Sequence, residues 1–246
     1  MKISGFRKIS SIDYPEKIAS VIFSPECNLA CPSCHAKHVV YGKSKYSEED
    51  VFSYLNSTKP FVDGLVISGG EATLQLGLEN FCRDVKSKFG NDFAIKLDTN
   101  GTNPEVLEEL LKEKLIDYVA LDIKGPEELY CELTSRNIDL KLIEKSMRTA
   151  SRFPGHEYRT TIVPVYDNGF RWFNDGEVED MAKWVSEYDN GKWYLQPFVA
   201  RKKEEMIDEM FSEKLIPENM KRTPKEVLER MKELINPYYY NCEVRE

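Results

Sequence analysis

Cys27, Cys31 and Cys34 stand at C-x3-C-x2-C spacing in Cys27-Asn28-Leu29-Ala30-Cys31-Pro32-Ser33-Cys34, which follows the short apolar run 18–23. Thiolates are soft ligands that suit iron–sulfur clusters, zinc or copper(I). A [4Fe–4S] cube ordinarily takes four protein thiolates. Three leave one iron open to a ligand that is not protein, and the other cysteines, Cys82, Cys131 and Cys242, are remote in sequence. A cube held at three corners is a device for binding and reducing a small chelating molecule. Two other readings use the same residues. With His35 or His38 the cysteines make a structural zinc site, which would mean a zinc-stabilised scaffold and no enzyme. Cys31-Pro32-Ser33-Cys34-His35 also matches the C-x-x-C-H haem-attachment pattern. That pattern goes with export, and Met1 to Phe6 carries no apolar signal core.

The chain that must carry this site has 246 residues, enough for one large domain, or one domain with an appendage. Hydrophobic content of 41% and charged content of 31% describe a soluble globular protein. No apolar stretch is long enough to span a bilayer. A net charge of -8 argues against a nucleic-acid partner. The basic run Arg201-Lys202-Lys203 reads as a solvated face. Six cysteines without an export signal fit a reducing cytoplasm, where thiols bind metal rather than pair. An open iron further suggests an anaerobic setting.

Residues 1–17 read as an N-terminal extension with a turn at Asp13-Tyr14-Pro15. The first strand is 18–23, followed by the cysteine loop. Ser47 and Asp50 open a helix as a capping box. The remaining strands are 64–67, 93–97, 118–121, 158–163 and 193–196. Helices are expected at 78–89, from Asn103-Pro104 (Asn as cap, Pro at the first helical position), at 140–153 and at 178–188. Strand–helix alternation without hairpins predicts a parallel sheet. Residues 201–246 are charge-rich, with an apolar helical stripe at Val227, Leu228, Met231 and Leu234-Ile235, expected to pack on the rest. Tyr238-Tyr239-Tyr240 reads as a packed terminal strand or turn.

The polar motifs share one place in this pattern, because each comes at the end of a predicted strand. In parallel α/β folds ligands bind there. The cysteines, Gly69-Gly70-Glu71, Asp98 and Asn100, Asp122 and Lys124, and Gln196 are therefore expected to ring one mouth. Gly69-Gly70 lets backbone approach a ligand closely, with Glu71 beside it. The plain alternatives are a glycine turn there and an Asx turn at Asp98 to Asn100. Arg159 could pair with a ligand carboxylate or with a neighbour.

The cysteine loop resembles the signature of the radical S-adenosylmethionine (SAM) superfamily. In that family SAM chelates the free iron through its amino and carboxylate groups, and one electron cleaves it to methionine and a 5′-deoxyadenosyl radical. The resemblance implies an α/β fold, a partial (β/α)6 TIM-like barrel of mostly parallel strands over residues 1–200, with a helical C-terminal extension at 201–246. It also implies roles. Cys27, Cys31 and Cys34 would hold the cluster. Gly69-Gly70-Glu71 resembles the motif that holds the SAM amino group. Asp98-Thr99-Asn100-Gly101 and Asp122-Ile123-Lys124 resemble stretches of the glycyl-radical-enzyme activases. There the two aspartates and Thr99 would surround a monovalent cation, and Lys124 would contact SAM. Backbone around Ser33 and His35 would meet the adenine. Arg159 and Gln196 are weaker SAM contacts.

Within the superfamily, Ile12-Asp13-Tyr14-Pro15, residues 68–75, 96–101 and 117–124, and Arg159-Thr160-Thr161 resemble most the activating component of the anaerobic ribonucleoside-triphosphate reductase. Ser33 departs from the usual aromatic, Ala72 from a common proline, and Val199 stands where some activases have histidine. The function implied is an activase that makes a glycyl radical on the large component of that reductase, fed by an electron donor such as flavodoxin or ferredoxin. The alternative is radical SAM chemistry on a small molecule, as in 7-carboxy-7-deazaguanine synthase.

Overall fold

The computed structural model describes residues 1–189 and 191–245. Glu246, the last residue of the expected C-terminal extension, lies outside the described residues. Strand β1 (Gly5–Ser10) runs antiparallel to β2 (Ala19–Ser24). From β2 the sheet continues in parallel through β3 (Gly64–Gly69), β4 (Ala94–Thr99), β5 (Tyr118–Asp122) and β6 (Gly155–Ile162). A short hairpin, β7 (Val165–Tyr166) with β8 (Phe170–Arg171), follows. Then β9 (Lys192–Pro197) joins β6, and β10 (Cys242–Val244) joins β9, both in parallel. The eight strands lie in the order β1-β2-β3-β4-β5-β6-β9-β10, with β1 and β10 at the two ends.

Helices fill the crossovers. They are α1 (Lys37–Val40), α2 (Glu48–Thr58), α3 (Leu78–Phe89), α4 (Pro104–Lys112), α5 (Tyr130–Thr134), α6 (Leu140–Ala150), α7 (Asp175–Ser186) and α8 (Lys225–Ile235). The Ser47–Asp50 capping box starts α2, and Asn174 with Glu177 makes a second one at α7. Pro104 is at the start of α4, but the Asn103 amide does not cap it; it donates to Thr73 Oγ1 at 2.8 Å, turned toward the strand ends. No helix among the described residues is long and apolar enough to cross a membrane.

Successive strand residues point to opposite faces, and the two faces have different cores. Leu65, Ile67, Ile95, Leu97, Val119 and Leu121 face outward into the main core under the helices, with Phe81, Leu107 and Ile143. Burying each such side chain stabilises by about 1.5–3 kcal/mol. Ala19, Val21, Val66 and Ala94 face inward and pack on Tyr14. Tyr14 is only 5% exposed, so the 11–17 turn closes one end of the inner face.

The sheet has two strands more than the six expected. Residues 1–17 are no mere extension, since they supply β1 and Tyr14. At the other edge Tyr239 is buried in a turn against Trp193, ring centroids 5.3 Å apart, and the strand begins only at Cys242.

Candidate active site

A cavity of about 840 Å³ opens at the carboxyl ends of the parallel strands. Cys27, Cys31, Ser33, Cys34 and His35 line one wall. Gly69 ends β3, with Gly70 and Glu71 just after it; Asp98 and Thr99 end β4, with Asn100 next; Asp122 ends β5, with Lys124 two residues on. Arg159 of β6 and Gln196 of β9 complete it, so all the residues expected at the mouth border one space. Cys82 and Cys242 are buried and Cys131 is exposed, and all three stand apart from it.

The cysteine loop is fastened mainly through its backbone. At its base Glu26 N donates to Val40 O at 2.9 Å. Gly70 N donates to Ser24 O at 2.8 Å and Glu71 N to Glu26 O at 2.7 Å, which ties the end of β3 to the loop entry. Ala30 N donates to Thr134 O at 3.0 Å, from the end of α5. Leu29 N and Ala36 N lie 3.4 Å from the Cys27 and Cys34 sulfurs, and Asn100 Nδ2 lies 3.9 Å from Cys27 Sγ. Burial pushes the Cys31 thiol up to about 11 against the pull of Lys124, and burial also raises Cys27. Metal binding therefore displaces protons here.

Glu71 does not present its carboxylate to the cavity. It is 1% exposed, and its oxygens accept from Thr73 N (3.1 Å), Thr73 Oγ1 (2.5 Å), Thr99 Oγ1 (2.8 Å) and Asn100 N (2.7 Å). The two loops after β3 and β4 are thus joined through one side chain. Thr99 is committed to this bond and Asn100 holds Asn28 at 3.0 Å, which leaves Gly69-Gly70 as the ligand-facing backbone.

The opposite wall is a chain of charges. Arg159 reaches Asp98 at 3.3 Å and Asp122 at 2.9 Å; Lys124 reaches Asp122 at 3.0 Å; Lys96 pairs with Asp98. Arg159 therefore pairs with neighbours. Burial disfavours charge on Lys124, but Asp122 and Cys31 outweigh it and hold the lysine above its ordinary value. Lys96, Lys124 and Arg159 thus alternate with Asp98 and Asp122, and Glu157 stands in the field of Arg159 and Lys96. Gln196 has no hydrogen-bond partner for its amide among the described residues.

Sequence reasoning missed several cavity residues. Lys96 is a buried lysine at an inward position of β4, two residues before Asp98. Glu157 stands two before Arg159 in β6 and is held by Arg245 at 2.9 and 2.7 Å. Charge recurring at period two inside otherwise apolar strands was the available signal. Arg201 lines the cavity and is not simply a solvated face, because the chain after β9 turns back over the cysteine loop.

Comparison with known proteins bears on this geometry. A family model described as the Radical SAM superfamily matches residues 21–185. The chain belongs to the radical SAM superfamily. A protein of Methanocaldococcus jannaschii named "Putative glycyl-radical enzyme activating enzyme MJ1227" is 39% identical over 197 residues, 76% of each chain. The crystal structure of Streptococcus suis SuiB bound to precursor peptide SuiA shares the fold, with TM-score 0.67 and 15% identity over 92% of this chain and 48% of SuiB. This radical SAM protein thus spans about half the length of SuiB. A domain of pyruvate-formate lyase-activating enzyme from Bacteroides vulgatus matches with TM-score 0.50 and 13% identity, over 74% of this chain and 99% of that one.

The donor set of this radical SAM protein fits the cluster that the family implies. Among the described residues no three His, Cys, Asp or Glu side chains converge on a point for a single metal ion. Cys27, Cys31 and Cys34 line one wall of the cavity, and soft thiolates are the donors such a cluster takes. The family sets aside the zinc scaffold and the haem reading.

Proposed function

We propose that this radical SAM enzyme generates a glycyl radical on the large component of an anaerobic ribonucleotide reductase. The observation that carries the choice of target class is the likeness to the M. jannaschii protein named as a glycyl-radical enzyme activating enzyme. Cys27, Cys31 and Cys34 would hold a [4Fe–4S] cluster, reduced by a donor such as flavodoxin or ferredoxin. Cluster and SAM, when bound, supply the one-electron cleavage that leaves methionine and a 5′-deoxyadenosyl radical able to take hydrogen from a backbone glycine.

The chain's own residues bind and orient. Lys124 and Arg159 attract the ligand carboxylate, and the attraction is strong because they stand in a partly buried wall. Gly69 and Gly70 offer backbone to its amino group, and the Gln196 amide is open to a further contact. Lys96, Arg159 and Lys124 bring positive charge to Asp98 and Asp122, two of the residues at which the resemblance sets a monovalent cation, while the Thr99 hydroxyl is engaged with Glu71. Ser33 and His35 border the same space beside Cys34.

A second reading, a small polar substrate of the deazaguanine type, is favoured by the charged inner residues Lys96, Glu157 and Arg245. One experiment separates the two. Protein reconstituted without oxygen, reduced, and mixed with SAM and the reductase is expected to yield a glycyl doublet by electron paramagnetic resonance, with one 5′-deoxyadenosine per radical. SAM cleavage with an intact cluster and no doublet would overturn the activase reading, and a modified small molecule would establish the second.

A further inference from the structure

We propose that Asn100 raises the reduction potential of the cluster by donating from its side-chain amide to the Cys27 sulfur. The inference rests on the cluster reading of Cys27, Cys31 and Cys34. It makes Asn100 a positioning residue that acts through a cysteine, in place of a contact to SAM.

Asn100 is 5% exposed and sits in a closed ring of hydrogen bonds. Its Oδ1 accepts from Thr102 N at 3.0 Å and from Thr102 Oγ1 at 2.7 Å. Its Nδ2 donates to Asn28 Oδ1 at 3.0 Å and lies 3.9 Å from Cys27 Sγ, long for oxygen but within reach of the larger sulfur. Asn28 Nδ2 donates to Thr102 Oγ1 at 2.7 Å, which closes the ring. One member fixes its sense. Thr102 N–H is a backbone donor and cannot accept, so the Asn100 amide oxygen must face it. The amide nitrogen then faces the other way, with one hydrogen for Asn28 and one for the sulfur. The turn expected at Asp98 to Asn100 would use the oxygen alone and would leave the nitrogen without an assigned place.

The cysteine sulfurs are not equivalent. Leu29 N approaches Cys27 Sγ and Ala36 N approaches Cys34 Sγ, each at 3.4 Å, and both are backbone groups that substitution leaves in place. Cys27 has the Asn100 amide as a second donor, and this one belongs to a side chain. Hydrogen bonds to the sulfurs help to set the potential of an iron–sulfur cluster. An N–H donor favours the reduced form, which carries more negative charge, and a buried network strengthens the effect.

The scaffold for iron does not depend on this donor. Asn100 N holds Glu71 through the backbone. The far end of the cysteine loop is held separately by the loop 199–222, whose ends meet in the Val199–Arg222 bridge. There Ile207 N donates to Cys34 O at 2.8 Å, Asp208 N to Pro32 O at 3.2 Å, and Lys37 N to Glu205 O at 3.2 Å.

A redox titration of the reconstituted holoprotein without SAM, followed by the electron paramagnetic resonance signal of the reduced cluster, tests this. Asn100→Ala is expected to keep its iron and sulfide and to shift the reduction equilibrium about tenfold toward the oxidised form, a potential lower by about 59 mV for one electron. Thr102→Val removes the ring hydroxyl but leaves Thr102 N and Asn28 to hold the Asn100 amide. It is expected to unfold at lower urea than wild type and to titrate as wild type does. An unchanged potential in Asn100→Ala, or an equal shift in both variants, would overturn the proposal. Should Asn100→Ala fail to hold iron, Asn100→Asp, which keeps the shape and puts an oxygen where the nitrogen stood, is expected to load and to titrate below wild type. Failure of both variants to load would overturn the proposal and make Asn100 a strut of the scaffold. Wild-type protein that takes up no reducible cluster would instead remove the cluster reading, and this proposal with it.

Discussion

The Cβ that an alanine would carry at Gly70 stands 1.9 Å from the Glu26 carbonyl oxygen. At Gly69, with φ +130°, it would stand 2.3 Å from Ser24 N and O. The double glycine therefore does more than free a backbone for a ligand, because it lets the end of β3 press against the residue that precedes Cys27. Gly70→Ala has no flexible side chain to push aside and must move the loop backbone. It is expected to lower stability by about 3 kcal/mol and to abolish iron loading, measured by urea denaturation and by iron content after reconstitution. Full loading at wild-type stability would contradict the packing argument.

Glu71 gives a second test, because its four acceptor contacts make it a brace. In Glu71→Gln the amide nitrogen must face a donor, Asn100 N–H or the Thr73 and Thr99 groups. A buried donor left without an acceptor costs about 1–3 kcal/mol. Denaturation should register that loss with or without SAM present. A side chain that only touched the ligand would change SAM affinity and leave the stability of the free protein alone.

Asp122 sets a pH dependence whose sign can be worked out. Burial would raise its pKa, but Arg159 and Lys124 hold it at about 2, below the ordinary 3.8. A carboxylate depressed in the folded state stabilises fully above its unfolded pKa and loses that contribution as pH falls through the folded one. The ion pairs are intact above about pH 4 and fail as the pH approaches 2. Asp122→Asn should be less stable than wild type by about 2 kcal/mol at pH 5. The difference should close on acidification, as read by urea denaturation across that range. A constant difference down to pH 2 would remove the pairing from the explanation.

Lys124 should separate ligand binding from metal binding. Its ammonium bonds Asp122 and lies in the field of Cys31, but no iron would depend on it. Lys124→Met is expected to retain iron and to bind SAM at least about tenfold more weakly, measured by calorimetry on the reconstituted protein. Loss of iron with unchanged SAM affinity in what remains loaded would reverse the assignment.

The strands that lie inside the parallel sheet were legible because burial on both faces makes them short apolar runs, such as Leu65 to Ile67 and Val119 to Leu121. β1 was not, since an edge strand exposes Arg7, Lys8 and Ile9. β10 and the β7–β8 hairpin have three and two residues per strand, too few for any periodicity. The residues that come together at the cavity were legible where a particular residue type stands out, at the cysteines, the glycines and Lys124. The site was hidden where backbone does the holding: Glu205, Ile207 and Asp208 brace the cysteine loop through amide and carbonyl groups that every residue type possesses. The bracing by Glu71 was hidden as well, since a carboxylate beside a glycine loop does not announce which amides it will accept from.

The clasp of loop 199–222 on the cysteine loop has a consequence for the order of events in the cell. A ribosome delivers Cys27, Cys31 and Cys34 early and Glu205 to Asp208 late. A growing chain therefore offers its thiols on a loop tied to Val40, Glu71 and Thr134 but still without its 205–208 clasp. Iron delivered at that stage meets a chelator with part of its support missing. Cluster insertion is therefore expected to be more efficient on the completed polypeptide than on a chain that ends before Glu205.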